Sequence, residues 1–364
     1  MDQLLFAYLL VAFEVCIIHS VPQLQNRRIE YLLFFFFQFF ILAGFRGLEV
    51  HPDTINYATH FDNVSENGHF WDIDKDIFNT GFLVVEKFIH NNISNTVLVY
   101  NLVTSFVICL CTMLLFYREA YHMGIAIFLY FVSGTYFTQM AVLREALAVV
   151  VGYCCISLLS KKHFLYAALV ILLAITLHTS AIVLFAIFFL EKRTISRKTR
   201  IVILLSVIGL VYAIAPVLEM VLDLLSFETK YYAEGVEKGF LTVNGLFNGM
   251  VGILVSFGVY KMLMQDDAPP PQSVYLNILY VYFLISVVTL RLSILSRFLM
   301  FFNPFIFILV SNYIFLSRRN VKYALFVLLV FASDIVIKQA FRPEWINVFP
   351  YNLYSDEQLG LLLY

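Results

Sequence analysis

Apolar runs with almost no ionisable residues recur about a dozen times along this chain, most of them close to twenty residues long, and nothing else constrains its fold as strongly. A helix needs about 20 mostly apolar residues to cross a hydrocarbon core about 30 Å thick. In lipid each backbone N–H and C=O must also be paired within the protein, which leaves helices or closed barrels. The candidate spans are roughly 4–21, 30–45, 97–116, 123–139, 141–159, 201–220, 244–264, 273–290, 298–316 and 321–337. The chain is 61% hydrophobic and 13% charged, against about 25% charged residues in a soluble domain. The expected fold is therefore all-α: a polytopic integral membrane helical bundle, one domain over residues 1–364. A net charge of −1 gives no electrostatic case for nucleic acid.

Basic residues set the orientation, because short cytoplasmic loops collect Lys and Arg. Fourteen of the 24 Lys and Arg residues fall at Arg27-Arg28, Arg118, Lys161-Lys162, 191–200, Lys261, Arg318-Arg319 and Lys322. Those loops are expected in the cytoplasm. The loop 46–96 is rich in acids, from Glu49 and Asp53 to Glu86, and is expected outside. The loop 221–243 and a tail at 338–364 follow on the same side, and the larger outer loops are expected to contain short helices. Residues 78–90, with Phe78, Phe82, Val85, Phe88 and Ile89 at helical spacing, read as an interfacial helix. The start, Met1-Asp2-Gln3, has no basic stretch or small-residue cleavage site, so 4–21 is expected to be a retained first span.

Residues 163–190 make a separate demand. As one helix these 28 residues would extend about 42 Å, and one basic flank would fall outside. Two short helices, 163–176 and 178–190, turning near His178, keep Lys161-Lys162 and Lys192-Arg193 on one side. One long tilted helix is the alternative. With the hairpin the count is about 12 membrane segments, both termini outside.

On that topology several charges converge on the outer face. Charge at such depth is costly and usually lines a polar cavity or a substrate path. Arg46 follows the second span directly, and Gly47 and Pro52 turn the chain before Asp53. Arg46 either grips phosphate or snorkels to the interface; Asp53 either is a base, or orients one, or caps a short helix at 54–62. Arg144-Glu145 interrupts an apolar stretch, as a site pair or as a structural pair that needs further hydrogen bonds. His178 is a lone histidine at the hairpin tip, catalytic or merely hydrogen-bonded. Arg291 and Arg297 bracket Leu292 to Ser296 and could be brought to one cavity by a short turn. Several arginines around an acid and an imidazole suit an anionic, phosphorylated substrate. No P-loop, HExxH or GxSxG motif is present, no acidic cluster has metal-ligand spacing, and Asp72, Asp74 and Asp76 read as a solvated loop. The cysteines Cys16, Cys109, Cys111, Cys154 and Cys155 lie in apolar segments and read as packing residues. No metal or cofactor is expected.

Laid out in this way, the chain resembles the EpsG-like branch of bacterial polysaccharide polymerases, related in role to the Wzy polymerases. The resemblance is carried by Arg46-Gly47 with Asp53-Thr54-Ile55-Asn56-Tyr57, by Gly81-Phe82, by the Arg144 to Ser160 helix, by Leu177-His178-Thr179-Ser180-Ala181 and by Arg297-Phe298. Two departures are Asn79-Thr80, where an acid is expected, and Glu145, where an amide is more usual. The resemblance implies a glycosyltransferase in the bacterial inner membrane that joins undecaprenyl-pyrophosphate-linked oligosaccharide units for O-antigen, capsule or exopolysaccharide on the outer, periplasmic face. Donor and acceptor would both be lipid-linked, the bilayer a partner, and a chain-length regulator a further one. On this reading Arg144, Arg291 and Arg297 hold pyrophosphate. Arg46, Glu49, Tyr57 and Glu145 complete the substrate site, with Asp53 or His178 as base. A lipid-linked oligosaccharide flippase is the main competitor, but it would place charge on both sides, and here the cytoplasmic half is nearly bare. A polysaccharide ligase would share the outer-face geometry.

Overall fold

The computed structural model describes residues 10–15, 27–62, 80–192, 196–224, 243–265, 269 and 271–341. Among them there are helices and no strands. In chain order they are α1 (Arg28–Gly44), α2 (Pro52–Asp62), α3 (Thr80–Asn92), α4 (Val97–Glu119), α5 (Met123–Val132), α6 (Thr135–Ala141), α7 (Leu143–Ser160), α8 (Phe164–Leu177), α9 (Leu184–Lys192), α10 (Arg197–Leu224), α11 (Val243–Leu263), α12 (Ser273–Thr289), α13 (Asn303–Tyr313) and α14 (Arg318–Phe341). Short 3-10 helices cover Leu48–Val50, Thr179–Val183 and Ser293–Phe301.

Among these residues four helices are long and apolar enough to cross a membrane: Val97–Glu119, Leu143–Ser160, Gly245–Leu263 and Arg318–Lys338. Two bent pairs raise the number to six. Expectation and structure part company at those pairs. The span expected at 123–139 is α5 and α6, which meet at 61°. The span expected at 298–316 is a 3-10 helix and α13, bent by 49°. Of the first expected span, 4–21, only the helical residues 10–15 are described, and 225–242 and 342–364 lie outside the described residues. Helix α14 runs on to Phe341, so Lys338 belongs to the helix rather than to a tail.

The break between α5 and α6 has a local cause. Gly134 has φ +73°, a left-handed conformation that costs an L side chain free energy. A Cβ there would also meet the Ile335 side chain at 2.8 Å. At the other bend Pro304 stands in the first turn of α13, where its missing N–H does no harm.

Side-chain bonds tie together the loops at one end of the bundle. Arg28 donates to the carbonyls of Tyr117 and Ala120 at 2.6 and 2.7 Å. Asn312 binds the backbone of Glu119 and Tyr121, and the Glu119 side chain accepts from Tyr275. Glu191 accepts from Lys162, Ser273 and Asn277, and Arg200 donates to the same Asn277. This basic end joins the starts of α1, α10 and α12 to the ends of α4, α9 and α13, as the alternation of charged loops requires. The pairing of Lys162 with Glu191 also decides between hairpin and single helix. Both flanks of 163–190 stand at one end, and the chain turns back at His178, whose backbone is extended (φ −156°, ψ 132°).

Two groups of helices make the body. Helices α1, α4, α7 and α8 pack in succession, and α11 packs on both α12 and α14. Contacts of α13 with α5, α4 and α11 join the groups. Small residues permit the closest approach. A Cβ on Gly252 would lie 2.0 Å from Ser286 Oγ, and one on Gly249 would lie 2.7 Å from the Ser286 carbonyl, so α11 and α12 touch nearly backbone to backbone.

Candidate functional site

At the end opposite the basic loops, three helix breaks face one another: Ser133-Gly134, His178 and Ser296 to Asn303. Broken helices leave backbone polar groups without intrahelical partners, which at membrane depth is tolerated where they line a polar cavity. Such a cavity is present, with two lobes of about 290 and 210 Å³. Both lobes are lined by Ser133, Thr138, Asn248, Arg297, Asp334 and Lys338. The larger adds His51, Asp53 and Gly134; the smaller adds Thr135, Glu145 and Asn303. Asn303 donates to Thr135 at 3.1 Å, which fastens the two bends to each other.

Asp53 is placed by the start of α2, where Pro52 opens the helix. Burial holds the His51 ring below the ordinary imidazole range, the nearby Arg46 adds to this, and Asp53 opposes it. A neutral ring lets Nδ1 accept the Asp53 backbone N–H at 3.2 Å, while Asp53 Oδ2 stays 3.8 Å away. The Asp53 carboxylate is thus at the cavity without being locked into a close ion pair with this ring.

Glu145 is 2% exposed in the first turn of α7. It accepts the Ser180 hydroxyl at 3.0 Å, and Ser180 Oγ lies 2.6 Å from His178 Nδ1. The Ser180 backbone N–H also points at that Nδ1, at 3.2 Å. The contacts at Nδ1 ask for different tautomers: the Ser180 N–H needs a lone pair there, whereas a Ser180 hydroxyl given to Glu145 needs a hydrogen on Nδ1 to bridge the 2.6 Å. Arg144 and Arg297 both act electrostatically on Glu145 and on His178. The Arg144 guanidinium lies 5.7 Å from the Tyr57 ring centroid and 6.0 Å from that of Phe82. These two rings are 5.9 Å apart, giving the cation an aromatic seat.

The Gly81-Phe82 pair now has a physical role. A Cβ on Gly81 would sit 2.3 Å from Thr176 Oγ1 and 3.0 Å from the Thr176 backbone carbon. Glycine lets α3 lie against α8, and that approach puts Phe82 on Arg144. Gly81→Val is expected to push α3 outward and to lower the melting temperature by several degrees, of the order of 1–3 kcal/mol for overpacking; a thermal scan of the purified variant against wild type checks it.

Arg46, by contrast, is 1% exposed and works between α1 and α4. It donates to the Ala43 carbonyl at 2.6 Å, Ser105 Oγ at 3.1 Å and Asn101 Oδ1 at 3.3 Å. It is not among the residues lining the cavity, and neither is Arg291, which is 6% exposed beyond the end of α12. Arg297 reaches the cavity. The Glu49 side chain lies outside the described residues. The structure therefore gathers Asp53, Glu145 and Arg297 at the cavity wall, with Tyr57, Arg144 and His178 in contact around them.

Sequence reasoning missed Asp334 and Lys338, which pair at 2.6 Å in the last turns of α14. Their i, i+4 spacing at the end of an apolar run was the available signal. It also missed Asn248 and the bend residues Ser133, Gly134 and Asn303; Ser-Gly and Asn-Pro within apolar runs mark such breaks. Among the described residues no three His, Cys, Asp or Glu side chains group as a metal site. Four cysteines, at 109, 111, 154 and 155, are free thiols.

A second polar cluster lies beside Arg144. Glu86 is fully buried and accepts from Tyr100 at 3.1 Å. His60 Nδ1 lies 2.8 Å from its other oxygen. The bond to Glu86 raises the His60 pKa, against burial and the field of Arg144. A raised pKa contributes stability that is fully present below the unfolded value, about 6.5, and is lost as pH rises through the folded value. Wild type is therefore expected to lose thermal stability from about pH 6.5 upward, and His60→Gln to flatten that slope. Melting temperatures from pH 6 to 9 check it.

The family model for the EpsG family matches residues 29–353, most of the chain. No curated protein and no solved structure matches.

Proposed function

The chain belongs to the EpsG family, and from that premise we propose that it is a membrane glycosyltransferase that polymerises undecaprenyl-pyrophosphate-linked oligosaccharide units on the outer face of the bacterial inner membrane. The observation that carries the reading is the polar cavity at one end of the bundle, where the carboxylates of Asp53, Glu145 and Asp334 and the cations of Arg297 and Lys338 meet beside two helix breaks. On this reading the shorter apolar helices, among them Phe164–Leu177 and Ser273–Thr289, are membrane segments as well, about twelve in all, with the basic end in the cytoplasm.

In the reaction an acceptor sugar hydroxyl attacks the anomeric carbon of the donor glycan. The carbon–oxygen bond to pyrophosphate breaks, and the carrier leaves as the pyrophosphate anion. The hydroxyl proton passes to Asp53 as general base. Charge grows on the leaving oxygen, and Arg297 and Lys338 on the cavity wall stabilise it without a metal. Arg144, seated on Tyr57 and Phe82, adds to the positive field. Ser180, itself against His178, holds the Glu145 carboxylate, which lies within the field of Arg297. Asp53 lines the cavity and His178 does not, so Asp53 is the better-placed base.

The test is a strain lacking this protein, complemented with wild type or with Arg144→Ala. Loss of long chains, with single lipid-linked units still reaching the outer face, supports a polymerase. Units stranded on the cytoplasmic face would make the protein a flippase instead.

A further inference from the structure

A second, different cavity opens at the basic end. Helices α10 and α11 both pack on α12, and between them lies an apolar space of about 460 Å³. This falls within the range of about 300–1,000 Å³ typical of small-ligand sites. Its walls include Ile253, Phe257, Leu279 and Phe283. From Ile253 in α11 to Met264 just past its end, the lining rises about 16 Å, close to one leaflet, about half of a 30 Å core. Outside the space, Ile201, Val202 and Leu205 of α10 stay exposed, so the opening faces the apolar region of the bilayer.

Positive charge collects at its polar end. Arg200 lines the space and spends one nitrogen on Asn277 at 2.9 Å. Its Nε is buried and has no hydrogen-bond partner. Burying such a donor unmet is costly, so an acceptor is called for. The guanidinium lies 5.6 Å from the Tyr280 ring centroid, and Lys261 Nζ lies 5.5 Å from that of Phe257, a lining residue. An apolar slot one leaflet deep, with cations at its headgroup level, fits one ligand chemistry: an acyl chain carrying a phosphate.

We propose that this cleft binds a single anionic phospholipid of the leaflet at the basic end, its acyl chain between α10 and α11 and its phosphate on Arg200. The lipid would tie α10, which otherwise packs mainly on α12, to the rest of the bundle. The site is at the opposite end from the Asp53–Arg297 cavity, so it stands or falls independently of the polymerase reading.

Purified full-length protein, taken through delipidating detergent washes and then mixed with phosphatidylglycerol, phosphatidylethanolamine or a polyprenyl phosphate, would be measured by native mass spectrometry. Wild type is expected to retain one phosphatidylglycerol in preference to phosphatidylethanolamine. Arg200→Gln should reduce that preference about fivefold, the effect of one cation near an anionic headgroup. Ile253→Trp, which fills the slot and leaves Arg200 in place, should abolish retention of either lipid while its melting temperature without lipid stays near that of wild type. Equal retention of both lipids by wild type, or unchanged retention in Ile253→Trp, would overturn the proposal. So would retention of a polyprenyl phosphate in place of phospholipid.

Discussion

Arg297→Ala is expected to stop chain elongation, lowering the rate by about 100- to 1,000-fold, as loss of one preorganised donor to a developing anion does, while the protein accumulates at its normal level. The second half of that expectation is what makes the variant informative. Arg297 is exposed to the cavity and lies on both of its lobes, unlike the buried Arg46 and Arg291. Removing it leaves little buried surface without a partner, so folding should be spared. Arg297→Lys keeps the charge but loses the planar fork, and should recover part of the rate. Arg46→Ala, in contrast, removes bonds between α1 and α4; its effect should be on protein level. Polymer yield normalised to membrane protein separates the two.

Asp53→Asn should cost about 100- to 10,000-fold, the usual contribution of a positioned base, with little change in apparent affinity for the acceptor. His178 provides the contrast. Its Nδ1 receives the Ser180 N–H, a bond that an asparagine carbonyl at this position can also accept. His178→Asn should therefore keep much more activity than His178→Ala, because its task is to hold Ser180 against Glu145. If His178 were the base, both variants would be as inactive as Asp53→Asn. Initial rates with lipid-linked acceptor for these three variants decide it.

Much of this was legible in the sequence because membrane insertion imposes coarse, additive rules. Runs of apolar residues and basic loops gave the helices and the alternation of ends, and the conflict between Lys161-Lys162 and Lys192-Arg193 foretold the turn at His178. The EpsG resemblance read from short motifs agrees with the family match. What escaped was set by packing in three dimensions. A straight span could not be told from α5 and α6, since the left-handed turn depends on one glycine, Gly134. Arg46 and Arg297 look alike in sequence; the neighbours Asn101 and Ser105, more than fifty residues away, consume the first and not the second. Asp334 falls inside the span expected at 321–337 and Lys338 at the start of the expected tail, yet both line the same cavity as Asp53.

The most direct test of the central claim uses purified protein in liposomes, supplied with a single defined lipid-linked repeat unit and no other protein. Wild type should convert it into a ladder of longer lipid-linked chains with release of free carrier pyrophosphate, and Arg297→Ala should leave it unchanged. If wild type leaves the units unextended but moves them across the bilayer, the account of this cavity as a polymerising site is wrong.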